Sequence, residues 1–207
     1  MIRRSLSFAA LVLGVAITAS GGGGPAIADQ DPRAFVNTLG NQAIEVSGPR
    51  IPFEQRVARF HQLFNADFAV AQIGQFVMGP YSRTASPEQK QAFLQTFGDS
   101  IVELYAKRFS DYTGEQFQVT GVRNAGSETV VSSEIVRRGG SPVRIDWSLL
   151  DEGGQPKISD VTIDGVSMRA HERELFGSLM QQSGGRMDIA LIALKNSNAP
   201  AEPGTTR

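Results

Sequence analysis

The sequence predicts an α+β domain, with a four-stranded antiparallel twisted sheet covered on one face by helices. Apolar residues recur at helical spacing from Asp31 to about Arg108, alternate from Phe117 to Ile163, and return to helical spacing after Met168. Helices, then strands, then helices is the α+β order. The clearest part is V-R-I-D-W-S-L-L, then Asp151-Glu152-Gly153-Gly154, then K-I-S-D-V-T-I, two alternating runs joined by a Gly-rich turn. Val143, Ile145, Trp147 and Leu149 share one face, and Arg144, Asp146 and Ser148 take the other. In the second run Val161 and Ile163 share a face with Ser159. At roughly 25 cal/mol per Å², leaving such a face in water costs several kcal/mol, so helices must cover it.

The elements follow in order. Met1-Ile2-Arg3-Arg4, an apolar run from Leu6 to Ala19, and Pro25-Ala26-Ile27-Ala28 form a basic, apolar and small-x-small series. This is the pattern of a secretory signal, residues 1–28, cleaved after Ala28. The apolar run falls short of the roughly 20 residues a spanning helix needs. No Cys follows it, so lipoprotein attachment is excluded. The domain is expected over 29–195, and the tail 196–207 has nothing to bury and is expected to be disordered.

Asp31-Pro32 is an N-cap with proline at the first helical position, and Phe35, Leu39, Ala43 and Val46 follow at helical spacing up to Gly48-Pro49. Pro52 restarts the pattern with Phe53, Val57, Phe60 and Phe64. Asp67 is expected to cap a third helix carrying Phe68, Ile73, Phe76 and Val77, ending at Gly79-Pro80. Ser86-Pro87-Glu88-Gln89 has capping-box spacing and opens the longest helix, with Phe93, Phe97, Ile101, Leu104 and Tyr105 on one face. Phe117, Val119 and Gly121 then alternate with Gln118, Thr120 and Val122, and a second strand covers Thr129 to Arg137 before a Gly139-Gly140 turn. After the hairpin come Leu175, Phe176, Leu179 and Met180, a Gly184-Gly185 break, and Met187, Leu191 and Leu194.

Composition excludes several classes. Without Arg3 and Arg4 the count of 20 basic against 21 acidic residues becomes 18 against 21, which argues against nucleic acid and anionic lipid surfaces as partners. Zero Cys in an exported chain means that the core alone supplies stability.

Catalytic patterns are missing. His61 and His171 are the two histidines, and His171-Glu172-Arg173-Glu174 lacks the second His of a zinc helix. No nucleophile elbow, P-loop or dinucleotide fingerprint occurs, so no metal or cofactor is expected. Asp146 and Asp160, on adjacent strands, are the best candidates for a general base in an apolar cavity. The competing reading is a solvent-facing cross-strand ion pair, with Arg144 beside Asp146. Arg137, Arg138 and Arg144 form a basic cluster at one hairpin end. What remains is an apolar inventory of twelve Phe, three Tyr and one Trp. The residues thus leave three readings open: a cavity that binds an apolar ligand, an isomerase or dehydratase in that cavity, and a protein-binding adaptor with a closed core.

Spaced matches narrow these. They are Met78-Gly79-Pro80-Tyr81-Ser82-Arg83 with Ala85-Ser86-Pro87-Glu88-Gln89, then Phe93, Phe97, Tyr105-Ala106 and Tyr112-Thr113-Gly114-Glu115. Val143 to Trp147, Asp160-Val161, Gly165-Val166-Ser167, Arg173 and Phe176 complete them. In this order the chain resembles, over most of Asp31 to Lys195, the MlaC or toluene-tolerance auxiliary family of periplasmic phospholipid carriers, and it is similar also to the hopanoid-associated branch. The resemblance implies a non-enzymatic periplasmic carrier of phospholipid or a related amphiphile. It would work as a monomer, between an outer-membrane lipoprotein complex and an inner-membrane ABC transporter complex. Acyl chains would then be enclosed by Val143, Ile145, Trp147, Leu149, Val161, Ile163 and Val166 on the sheet side. Phe76, Phe97, Ile101, Leu104, Tyr105 and Phe176 would line the helical side. Ser82 and Glu172 stand where the family often has aromatic residues, which bears on the cavity mouth and docking surface.

Overall fold

The computed structural model describes residues 31–136 and 140–197. The expected signal segment, the Arg137-Arg138 pair and the tail beyond residue 197 lie outside these residues. Helix α1 spans Pro32–Glu45, and the Asp31 carboxylate accepts from the Arg33 amide at 3.0 Å. Helices α2 (Phe53–Asp67), α3 (Val70–Met78) and α4 (Pro87–Arg108) follow, with a 3-10 turn at Gly79–Arg83. The α4 capping box forms as expected. Ser86 Oγ accepts from the Gln89 amide at 3.2 Å, and Gln89 Oε1 accepts from the Ser86 amide at 2.9 Å.

Asp67 does not cap α3. It ends α2, and burial pushes its carboxyl up against the opposing pull of Lys157 and Arg59. The sheet holds the start of α3 instead: the Ala69 amide donates to the Ile158 carbonyl at 2.9 Å, and Phe68 bridges to Ile158.

The sheet runs β1 (Gln116–Ala125), β2 (Glu128–Val136), β3 (Val143–Glu152), β4 (Gln155–Ile163) and β5 (Val166–Ser167), neighbours in sequence order and antiparallel. β3 and β4 are joined through Gly153 and Gly154, both at positive φ, as a two-residue hairpin turn requires. The fifth strand departs from the expected four. Asp164 and Gly165 (φ 48° and 87°) reverse the chain, the Asp164 carboxylate accepts from the Arg144 amide at 3.0 Å, and Val166 pairs back onto Ile163.

Two bulges revise the period-two reading. One between Ser148 and Leu149 places Ile158, not Ser159, opposite Leu149 on the apolar face. Another between Val119 and Gly121 moves Val122 opposite Val131, onto the face of Phe117 and Val119. A bulge adds one residue to one strand and so flips the side-chain parity beyond it.

Helices α5 (Met168–Gln182) and α6 (Met187–Ser197) close the domain, with Ser167 Oγ accepting from the Ala170 amide at 3.2 Å at the start of α5. α1 packs on β1 and β2, α2 and α6 on α4, and α3 on α5. Gly40 lets α1 approach the sheet, because a Cβ there would lie 2.4 Å from Phe117 Cε1. The core joins Val36, Phe60 and Phe64 from α1 and α2 to Phe93, Val131, Ile158 and Phe176.

Candidate functional site

Strand register sets the expected sheet residues in rows. Ser133, Ile145 and Ile163 form one row, Val131, Trp147 and Val161 the next, and Thr129, Leu149 and Ile158 the third. Val143 extends the face opposite Ile135. Trp147 Nε1 donates to Ser133 Oγ at 2.8 Å, and that hydroxyl donates to the Ile145 carbonyl at 3.3 Å. The indole also meets Phe117 edge-on, with centroids 6.4 Å apart. The Trp is thereby oriented by a hydrogen bond at its polar end and a ring contact on its apolar body.

The face is buried under the helices at one end and partly exposed at the other, although Ile145 and Ser133 within that second half are themselves buried, at 7% and 1% exposure. Val131, Leu149 and Ile158 are buried in the helical core, whereas Val143, Trp147, Val161 and Ile163 are half-buried. Val166 is 56% exposed at the sheet edge, away from the enclosed part.

From the helical side, Phe97 and Phe176 are fully in the core and Ile101 packs against it. A ladder of rings runs inward: Tyr81 to Phe176 at 6.4 Å, Phe176 to Phe93 at 4.7 Å, and Phe93 to Phe97 at 5.5 Å. Leu104 is half-buried and does not join this cluster. Phe76 is half-buried under two arginines, with the Arg169 and Arg173 guanidiniums 5.0 and 4.9 Å from its centroid.

Two hollows among the described residues bear on the expected apolar cavity. A hollow of about 230 Å³ is bounded by residues such as Phe35, Leu39, Asp67 and Lys157, and one of about 750 Å³ lies beside Phe76 and Arg173. Neither is walled by the β3 face. Leu149 and Ile158 instead pack directly into one cluster with the helical phenylalanines. Contact of this kind recovers the dispersion attraction that an empty apolar space would forfeit.

Tyr105 brings polarity to the helical layer. Its hydroxyl is buried with no hydrogen-bond partner. Burial pushes its phenol up to about 12, with Arg108 opposing the shift and Glu172 and Asp160 adding to it. Glu172 is not at a surface mouth but 7% exposed, and burial holds its carboxyl above the ordinary range against His171 and Arg108.

The two candidate bases have structural partners. Asp146 lies 3.3 Å from Arg123, rather than pairing with Arg144, and accepts from Ser132 Oγ at 2.6 Å. Arg144 instead approaches Glu134 at 3.8 Å. Asp160 is not solvent-facing: it is 6% exposed because the first turn of α5 folds over it. It accepts from Ser167 Oγ and from the Arg169 amide, and Arg169 bridges it to Glu128 at 3.6 Å from each. His61 lies 3.5 Å from Asp99. Among the described residues no group of three or more His, Asp or Glu could hold a metal ion. Sequence reasoning missed Ile158, hidden by the bulge, and Ser133, whose polar side chain gave no sign that it anchors the Trp.

This arrangement, a five-stranded meander whose apolar face is closed by helices, can be set against known proteins. The family model described as MlaC protein matches residues 42–193. The chain belongs to the MlaC family. It is 27% identical over 109 residues to the toluene tolerance protein ttg2D of Pseudomonas putida, covering 52% of this chain and 51% of the relative. It is 28% identical over 100 residues to the intermembrane phospholipid transport system binding protein MlaC of Haemophilus influenzae, covering 46% of this chain and 47% of that protein. The chain thus spans about half the length of the curated relatives it matches. A phospholipid-binding protein from Ralstonia solanacearum, solved in complex with a phospholipid, superposes with a TM-score of 0.70 at 21% identity, over 82% of this chain and 98% of that one. That likeness establishes the fold shared with this MlaC-family chain. No helix among the described residues is long and apolar enough to cross a membrane.

Proposed function

We propose that this MlaC-family chain binds phospholipid acyl chains against the β2–β3–β4 face and carries them through the periplasm. The observation that carries the reading is the half-buried strip of Val143, Trp147, Val161 and Ile163, continuous with the sealed rows beneath the helices. Binding requires the helical layer to separate from the sheet. Each buried CH₂ gains about 0.8 kcal/mol, so a chain of about sixteen carbons returns on the order of 10 kcal/mol for the side-chain contacts it replaces. The lost side-chain contacts offset part of this gain, which suits a carrier that must also release its load.

In this reading the chain is exported, cleaved after Ala28, and works over residues 29–195 as a monomer without chemistry. It passes phospholipid between an outer-membrane lipoprotein complex and an inner-membrane ABC transporter complex. The names of its relatives support lipid transport as the task. The hydrogen-bonded, structural roles of Asp146 and Asp160 weigh against an enzyme. Native mass spectrometry of the purified chain tests the reading. A co-purifying phospholipid is expected, and a protein that stays empty and extracts nothing from vesicles refutes it.

A further inference from the structure

Two of the sequence elements that carry the family resemblance converge at a place the apolar face does not use. Gly79, Pro80, Ser82, Arg83 and Arg173 border the hollow of about 750 Å³ beside α3, open to solvent, together with Gln75 and Phe76. No carboxylate lines it.

The two guanidiniums stacked on Phe76 differ in how their charge is met. Arg169 is balanced by Glu128 and Asp160, each 3.6 Å away. Arg173 makes no ion pair among the described residues, and neither does Arg83. Arg173 is nevertheless held in place. It rests on the Phe76 ring and against Gly79, where a Cβ would come 3.3 Å from its Nε and 3.4 Å from its Cζ. Gly79 itself sits at φ 56°, and its carbonyl accepts from Ser82 Oγ at 2.7 Å, which fixes the turn carrying Arg83. A guanidinium positioned by stacking and by a missing Cβ, without an acid, keeps its N–H fork for an outside acceptor. Arg83, also without an ion pair among the described residues, brings a second guanidinium to the same hollow, and a tetrahedral phosphate offers oxygens to both.

The hollow is larger than a bare phosphate needs, so there is room for a substituent. Tyr81, between the lining residues Pro80 and Ser82, is also the outer rung of the ring ladder that reaches Phe97. An anionic head in the hollow therefore lies next to the residue that begins this apolar ladder. We propose that Arg83 and Arg173 form a phosphate-binding site, which on the carrier reading above takes the phosphodiester of a lipid head group and selects phosphate-bearing over uncharged amphiphiles.

The test uses the full purified chain with vesicles holding equal amounts of phosphatidylglycerol and a diacylglycerol of the same acyl chains. Extracted lipid is measured for the natural sequence and for Arg83→Gln, Arg173→Gln and Arg173→Lys. Inorganic phosphate is titrated in parallel against the arginine Nε–H signals by NMR. Phosphatidylglycerol should be preferred. Each Gln variant should lower that preference by about tenfold with total lipid unchanged, and the Lys variant should keep part of it. Higher salt should also reduce it, because both arginines are exposed. A preference equal in all variants, with no phosphate response at Arg83 or Arg173, overturns the site. Shifts with inorganic phosphate but no lipid preference support the phosphate site and make free phosphate its source. If no lipid is extracted, the carrier reading fails while the phosphate titration still decides the hollow.

Discussion

Arg56 gives the sharpest prediction for stability. It is 3% exposed, yet no carboxylate pairs with it among the described residues. Its guanidinium donates to three carbonyls instead: Ala106 and Ile51 at 2.7 Å each, and Gly48 at 3.3 Å, while Nε finds no acceptor. Ala106 belongs to the last turn of α4, whose carbonyls lack helical partners and favour a cation. One side chain thereby ties α2 to the end of α4 and to the loop after α1. Arg56→Met keeps much of the volume but removes the buried donor of the Ala106 carbonyl and the donor of the part-buried Ile51 carbonyl, while the Gly48 carbonyl retains the Ile51 amide. Each charge-assisted bond is worth roughly 1.5–3 kcal/mol, and the desolvation of the guanidinium that the variant avoids offsets part of the sum. A net loss of about 3 kcal/mol is expected, which lowers the melting temperature by roughly 6–12 °C for a chain of this size. Urea unfolding followed by circular dichroism measures it. Arg56→Lys should fall between, since one ammonium cannot reach three carbonyls in a planar fork. A Met variant within about 0.5 kcal/mol of the natural sequence would refute the reasoning, because the network would then not outweigh its desolvation.

Other expectations are narrower. Gly40→Ala gains about 1 kcal/mol of helix propensity, but its Cβ enters the Phe117 ring, so a net loss near 1 kcal/mol and altered Trp147 emission are expected; a stabilised variant with unchanged emission contradicts that packing. Glu172→Gln tests the buried carboxyl. Because burial raises its pKa above 4.5, the folded state binds more protons than the unfolded state above that pH, and stability falls as pH rises through the window. The Gln variant should therefore be more stable at pH 7, with the difference gone below about pH 4.5; equal differences at both pH values in urea titrations would remove the effect. Trp147→Asp should cut co-purified lipid several-fold with the circular dichroism of the fold retained, and full lipid content in a folded variant would count against the sheet face.

What the sequence disclosed depended on how local each signal is. The α4 capping box lies within four residues and the β3–β4 turn rests on two glycines, so both could be read directly. The bulges at Leu149 and Gly121 could not, because an inserted residue leaves no mark in a period-two pattern, and Ile158 was hidden by that parity change. The burial of Asp160, read in the sequence as a general base or a solvent-facing ion-pair member, could not be seen there because its cover, the start of α5, is a separate segment. The apolar face was legible because β3 carries it in alternate residues of one short segment. The Arg83–Arg173 hollow was not, since its parts are about ninety residues apart and meet only through the packing of α3 on α5.

If acyl chains touch the β3 face, Trp147, the single tryptophan, at the middle of that face, meets them. Its fluorescence in the presence of phospholipid brominated along the acyl chain measures that contact directly. Strong quenching by brominated lipid relative to the unbrominated lipid is predicted. Bound lipid, verified by mass spectrometry, that leaves Trp147 unquenched would place the chains away from the β3 face.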